Sequence, residues 1–304
     1  MDTRTAPTFS IVMPAFNTAP TINAAIESVL AQTRDDFELL VVDDGSSDGT
    51  AARVEPYLHD NRVRLISQPN LGLAGARNTA IEIARGMYAS LLDSDDVWLP
   101  RYLDVMATAL DNNPVAAVAY TDAWVLDDGI RRIARRTAMS PSHPPSTPRD
   151  SELFLRALLE FGNFVFSGAT IRMSTLRVVG PFRRLEAEDY EMWLRIAARG
   201  YSFVRCPETL VIYRRSPRQM TANQERTRRA VENVLRIVEE EYEIPDDIRA
   251  LAGQRIPLRA FRPGRPRRVP RVLRPLYKAL ARAHWFYFKP PKPVRDSFPD
   301  LRLL

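Results

Sequence analysis

The chain has 304 residues, 45% of them hydrophobic and 26% charged, which suits one large buried core, and no apolar run approaches the roughly 18 residues of a membrane span. A lone cysteine, Cys206, excludes an intramolecular disulfide, and with only His59, His143 and His284 beside it a His/Cys zinc site is not expected. The net charge of +6 is uneven, because residues 253–304 hold 14 Lys or Arg against 2 Asp or Glu and leave residues 1–252 net acidic. Residues 1–5 lack an apolar core behind a basic start, so a cytoplasmic protein without a signal peptide is expected.

Phe9-Ser10-Ile11-Val12-Met13 predicts a buried strand, and Pro14-Ala15-Phe16-Asn17 the loop that leaves it. Ile22, Ala25, Ile26, Val29 and Leu30 recur at the spacing of a helix face packed on a sheet. A second strand over residues 37–42 ends on Asp43-Asp44-Gly45-Ser46-Ser47-Asp48-Gly49-Thr50, a turn rich in acids, hydroxyls and glycine, and a short strand follows at 63–66. Residues 72–85 carry a helical stripe, with Gly86 as its stop.

The next apolar run, Leu91-Leu92, stops on Asp93-Ser94-Asp95-Asp96. Like charges so close repel unless a cation or hydrogen-bond donors lie between them. Asp93 and Asp95, alternate residues of an extended backbone, point the same way and could converge on one hard cation. The plainer alternative is an acidic turn capping a helix, since Asp95-Asp96 before Val97-Trp98-Leu99-Pro100 suits a helix start.

A helix over 100–112 and a strand over 115–120 continue the alternation, which implies an α/β fold with a mostly parallel central sheet and helices on both faces. Ligands of such sheets sit at the carboxyl ends of the strands, where three polar loops would gather. Neither a G-x-G-x-x-G turn nor a G-x-x-x-x-G-K-[ST] loop is present, which disfavours a dinucleotide oxidoreductase or a P-loop NTPase.

Residues 126–150, with Arg131-Arg132, Arg135-Arg136 and a Pro- and Ser-rich run, read as a flexible loop that divides residues 1–125 from a second half at 151–222. In that half a helix is expected at 152–161, an extended stretch at 166–172 and another helix opening at Leu185-Glu186-Ala187-Glu188-Asp189-Tyr190-Glu191. Acids at a helix start are favourable in their own right. Residues 223–252 read as a further helix.

In order, Ser10-Ile11-Val12-Met13-Pro14-Ala15-Phe16-Asn17, the Asp43-Asp44-Gly45-Ser46 turn, Asn70-Leu71-Gly72-Leu73-Ala74-Gly75-Ala76-Arg77-Asn78, Asp93-Ser94-Asp95-Asp96, Glu188-Asp189-Tyr190-Glu191-Met192-Trp193 and Tyr213-Arg214-Arg215 resemble glycosyltransferase family 2. These are inverting nucleotide-sugar enzymes of the Rossmann-like GT-A fold, and the resemblance spans about residues 8–222. It implies that residues 1–125 bind the donor and that residues 151–222 supply the acceptor side and the base. By it, Asp44 reads the donor's base, with Pro14, Phe16 and Asp43 lining the pocket, and Arg77 contacts the nucleotide or diphosphate. Asp93 holds the ribose or helps the metal, Asp95 is the direct ligand of a Mg²⁺ or Mn²⁺, and Asp189 is the general base. The implied partners are a nucleoside-diphosphate sugar and a glycan or lipid-linked hydroxyl acceptor in surface-glycan synthesis, and not nucleic acid.

Many members carry a metal-completing histidine where this chain has Ser216, so either metal affinity is weaker, or water fills the position, or Arg215 or Arg218 supplies positive charge to the diphosphate; Glu188 stands beside Asp189 on the acceptor side. No Q-x-x-R-W motif is found, which suits addition of one or a few sugars. The alternative is a non-catalytic relative that binds nucleotide sugar or scaffolds other enzymes. The tail, 253–304, reads as a Pro/Arg-rich run with an amphipathic helix over 275–288 that either docks on the catalytic domain or, the favoured reading, lies on an anionic membrane surface, which would give a peripheral location on the inner face of the cell membrane.

Overall fold

The computed structural model describes residues 6–127, 132–137, 150–165, 168–216, 219, 223–244 and 246–247. The tail and its expected helix lie outside the described residues, as does Arg218. Strands β1 (Phe9–Ala15) and β2 (Phe37–Asp43) are buried at every residue, the mark of parallel strands covered on both faces. They pair in parallel with Met13 opposite Val41, β2 pairs with β3 (Val63–Ser67), and β1 pairs with β4 (Tyr88–Leu91). The connecting helices are α1 (Ile22–Leu30), the short α2 (Thr50–Val54) and α3 (Gly72–Ile83), so this half is parallel as expected.

Beyond β4 the sheet becomes mixed. With β5 (Val97–Trp98), β6 (Ala116–Asp127), β8 (Ala169–Arg172) and β9 (Ser202–Arg215), the strands run in the order β3-β2-β1-β4-β8-β6-β9-β5, and β8 is antiparallel to both its neighbours, β4 and β6. It follows α5 (Ser151–Phe161) at the carboxyl edge of the sheet and runs back down, so a parallel pairing is not open to it. The 14-residue strand β9 (Ser202–Arg215) then runs parallel to β6, carrying Tyr213-Arg214-Arg215 up to the same edge as Asp93.

Two expectations change. Residues 126–150 are not simply a loop: β6 continues to Asp127 and β7 (Arg132–Thr137) returns antiparallel to it, an arginine-bearing edge strand of the kind that resists unwanted pairing. Residues 128–131 and 138–149 lie outside the described residues. The Asp95-Asp96 turn also does not start a helix, since Val97–Trp98 form a two-residue strand, β5, against β9, and α4 (Tyr102–Asp111) begins only after Pro100. The Trp98 ring stacks on Tyr102 at 3.9 Å, and the buried Asp96 carboxylate accepts from the Arg214 backbone N–H at 2.9 Å instead of capping a helix.

One core cluster joins Val12, Leu40 and Val42 to Ala76 and Ala80 of α3, to α5 and α6 (Met173–Val179), and to α7 (Glu188–Ala198) and α8 (Gln224–Glu241). The alternate residues Ile11, Met13, Leu39 and Val41 are buried outside that cluster, on the opposite face of the sheet. Among the described residues no helix is long and apolar enough to cross a membrane.

At the amino-terminal edge Gly86 comes against β1: its N–H donates to Ser10 Oγ at 2.8 Å, and Ser10 donates to the buried Glu38 at 2.7 Å. A Cβ at Gly86 would meet Ser10 N at 2.5 Å and the Phe9 carbonyl carbon at 2.7 Å, both backbone atoms that cannot swing aside. Gly86→Ala is therefore expected to cost about 1–3 kcal/mol and lower the melting temperature by several degrees, measured by thermal denaturation.

Candidate active site

The loops after β1 and β2 hold each other. Asn17 sits in the left-handed region at φ 54°, which a short amide side chain tolerates. Its backbone N–H donates to Ser46 Oγ at 3.0 Å, and its side-chain carbonyl accepts from the Ser47 N–H at 2.9 Å. Thr18 and Ala19 donate to Thr50 Oγ1 at 2.9 Å and Asp48 Oδ2 at 3.0 Å. Phe16 stands out of this knot at 49% exposure, a free aromatic face at the strand ends, while Pro14 is buried in β1 opposite Val42.

Asp43 and Asp44 are both buried. Asp43 accepts from the Ser46 N–H at 3.1 Å. Asp44 accepts from Gln68 Nε2 at 2.6 Å, the Leu71 N–H at 2.8 Å and the Gly72 N–H at 2.9 Å, so it pins the loop that begins α3. That leaves roughly one of a carboxylate's four acceptor positions for a ligand.

Arg77, on α3, is the centre of the acid cluster. The guanidinium expected on the nucleotide or diphosphate is instead only 2% exposed. One terminal nitrogen donates to Asp93 Oδ1 at 2.8 Å, the other to Glu188, and its Cζ lies 5.5 Å from the Phe182 ring centre. The Asn78 side chain fixes Phe182 by bonding both its N–H and its carbonyl at 2.8 Å. Burial works against the Arg77 charge, but Asp93, Glu188 and Asp189 outweigh it and raise its pKa.

The carboxylates feel the opposite balance. Burial, joined by the charge of Asp93, pushes Asp95 up to about 6. Glu188 is pushed up to about 7 by burial against the pull of Arg77, with Asp189 adding to the rise, and Asp189 is raised by burial despite Arg77 and its hydrogen bonds. Asp93, Glu188 and Asp189 share the Arg77 guanidinium, and Asp95 beside Asp93 feels the Arg214 charge, an excess of acid that favours a further cation. Asp93 and Asp95 provide hard oxygen donors for one, as Mg²⁺ and Mn²⁺ prefer. Among the described residues no group of three or more His, Cys, Asp or Glu encloses a metal position, so such a cation would take its remaining ligands from diphosphate and water.

Ser216 presents its backbone N–H to Gln219 Oε1 at 3.2 Å, and Gln219 Nε2 approaches Asp95 Oδ2 at 3.4 Å while donating to the Arg214 carbonyl. Arg215 ends β9, half-exposed, opposite Asp127 in register. Gln219, Asn163 and Phe182 escaped sequence reading, because nothing in their neighbours' spacing marks them.

A family model described as glycosyl transferase family 2 matches residues 10–179. Two Escherichia coli proteins, each named UDP-Glc:alpha-D-GlcNAc-diphosphoundecaprenol beta-1,3-glucosyltransferase, are similar. WfgD is 43% identical over 108 residues, 35% of this chain and 42% of its own length; WfaP is 30% identical over 192 residues, 63% and 70%. S. aureus TarS 1-349 in complex with UDP-GlcNAc has TM-score 0.66 at 19% identity, over 81% of this chain and 70% of that one. The mannosyltransferase PcManGT from Pyrobaculum calidifontis in complex with GDP-Man and Mn²⁺ has TM-score 0.59 at 21%, over 82% and 69%. The fold is that of the GT-A glycosyltransferases. The chain belongs to glycosyl transferase family 2.

The raised Asp95 carboxyl has a measurable consequence. A raised acid contributes stability that is fully present below its ordinary 3.8 and lost as pH rises through about 6. Melting curves of Asp95→Asn should therefore flatten relative to wild type across that window, and Mn²⁺ with UDP should restore the wild type, not the variant, above it.

Proposed function

We propose that the chain is a metal-dependent, inverting, non-processive glycosyltransferase that moves a sugar from a nucleoside-diphosphate donor to a hydroxyl acceptor in surface-glycan synthesis. The observation that carries this reading is the gathering of Asp93, Glu188 and Asp189 around Arg77 at the carboxyl edge of the sheet, with Asp95 beside Asp93. Asp93 and Asp95 would hold a Mg²⁺ or Mn²⁺, which stabilises the charge on the departing diphosphate without a proton. Phe16 offers a face for the base, and Asp43 and Asp44 hold the loops around it. Arg215, at the end of β9, would supply positive charge to the diphosphate or to an anionic acceptor, the role expected also of Arg218, which lies outside the described residues. Asp189, partly exposed at the start of α7, takes the proton of the attacking hydroxyl, a role that contributes roughly 10² to 10⁴-fold. Attack on the side opposite the leaving group inverts the anomeric centre, so no covalent enzyme intermediate is needed.

The names of WfgD and WfaP support a lipid-linked diphosphate sugar as acceptor, and the net positive charge of residues 253–304 would hold the enzyme at an anionic membrane surface. The second reading, a binding or scaffolding relative without catalysis, draws on Ser216 in place of a histidine.

Asp95→Ala should abolish metal-dependent UDP binding, measured by calorimetry with UDP and Mn²⁺; unchanged affinity would remove Asp95 from the metal role. Asp189→Asn should keep donor affinity and lower turnover by at least about 10²-fold, since an amide preserves shape but accepts no proton. Transfer at the wild-type rate in that variant would shift the base to Glu188, and no sugar transfer or donor hydrolysis by the wild type across a nucleotide-sugar panel would favour the non-catalytic reading.

A further inference from the structure

Asn163 stands two residues past the end of α5, and its environment fixes it with respect to the helix that carries Asp189. Gly162, at φ 82°, ends α5 and turns the chain, a conformation that glycine adopts without strain. The segment on either side is bonded to α7: Tyr190 Oη donates to the Leu158 carbonyl at 2.8 Å, and Trp193 Nε1 donates to the Val165 carbonyl at 3.0 Å. Phe164 and Val165 are buried beneath it.

Within this frame the amide has one orientation. Asn163 Oδ1 accepts from the Val165 N–H at 3.2 Å, so its NH₂ is turned to Asp189, where Nδ2 donates to Oδ2 at 2.8 Å. The other carboxylate oxygen, Oδ1, accepts from the Tyr190 N–H at 2.7 Å. Both oxygens of Asp189 are thus tethered, and the mostly buried carboxylate is held in place by these two bonds.

We propose that Asn163 is a positioning residue for Asp189, holding its carboxylate in one rotamer and stabilising the ionised form that accepts the acceptor's proton. This rests on the general-base reading of Asp189. The charged groups that face Asp189 are Arg77 from α3, Glu188 beside it on α7 and Asp93 after β4. Arg77 and the Asn163 hydrogen bond favour the anion, whereas burial and Asp93 oppose it. Losing the donor therefore raises the Asp189 pKa.

The test needs no known acceptor. In the full chain labelled with ¹³C-aspartate, the Asp189 carboxyl signal, assigned by its loss in Asp189→Asn, is titrated in wild type, Asn163→Ala and the isosteric Asn163→Asp. The midpoint should move to higher pH by about one unit in Asn163→Ala and further in Asn163→Asp, which puts a like charge in place of the donor. In hydrolysis of UDP-glucose with Mn²⁺, the acid limb of turnover should move with it while UDP affinity and melting temperature stay near wild type. Unmoved midpoints in both folded variants would overturn the positioning role. A midpoint that moves while the acid limb stays still, or an acid limb that survives Asp189→Asn, would overturn the general-base reading and with it the catalytic part of the proposal.

Discussion

A guanidinium buried at the carboxyl edge of the sheet, Arg77, holds together residues from both halves of the chain. Its partners come from the end of β4 and the start of α7, and without a cation between them Asp93, Glu188 and Asp189 would repel across a space with little solvent to screen them. Breaking such a pair by removing one partner typically costs about 3–5 kcal/mol, because the remaining charges stay buried. The arrangement is consistent with a site that keeps excess negative charge in reserve for an arriving cation, and the raised carboxyls of Asp95 and Glu188 are the cost of that reserve.

The surroundings of Arg77 are ordered outward in layers. Phe182 lies against the guanidinium, Asn78 clamps the Phe182 backbone, and Arg195 holds the preceding turn by donating to the carbonyls of Val179 and Pro181. Glu191 in turn pairs with Arg195 at 2.9 Å one helical turn away. The acids at the start of α7 therefore divide their labour: Glu191 supports the loop, Glu188 balances Arg77, and Asp189 faces the cleft.

Much of this architecture was legible in the sequence where burial imposes a simple pattern. The continuous apolar runs of β1 and β2 and the 3.6-residue stripe of α1 follow from covered faces, and the polar strand ends follow from the topology. The pattern failed where distant partners decide the outcome. Val97–Trp98 becomes a strand because β9 lies beside it, and Asp96 is engaged by an N–H 118 positions further along. An arginine-rich strand such as β7 looks like a loop by composition, and only pairing with β6 makes it extended. Arg77 could be picked out as polar and functional, but its burial depends on Glu188, 111 residues away, which no local window contains.

Asp44 has a bearing on how donor preference could be re-engineered. Its carboxylate is the anchor of the turn that launches α3, and α3 delivers Arg77 to the acids little more than one helical turn later. On the proposed function, altering Asp44 to suit another base would loosen the lever on which the buried Arg77 guanidinium is mounted, so recognition and chemistry would change together. Phe16 is exposed on a loop tied down by its neighbours and not by its ring, so on the proposed function its side chain is the one that can be changed while that lever stays intact.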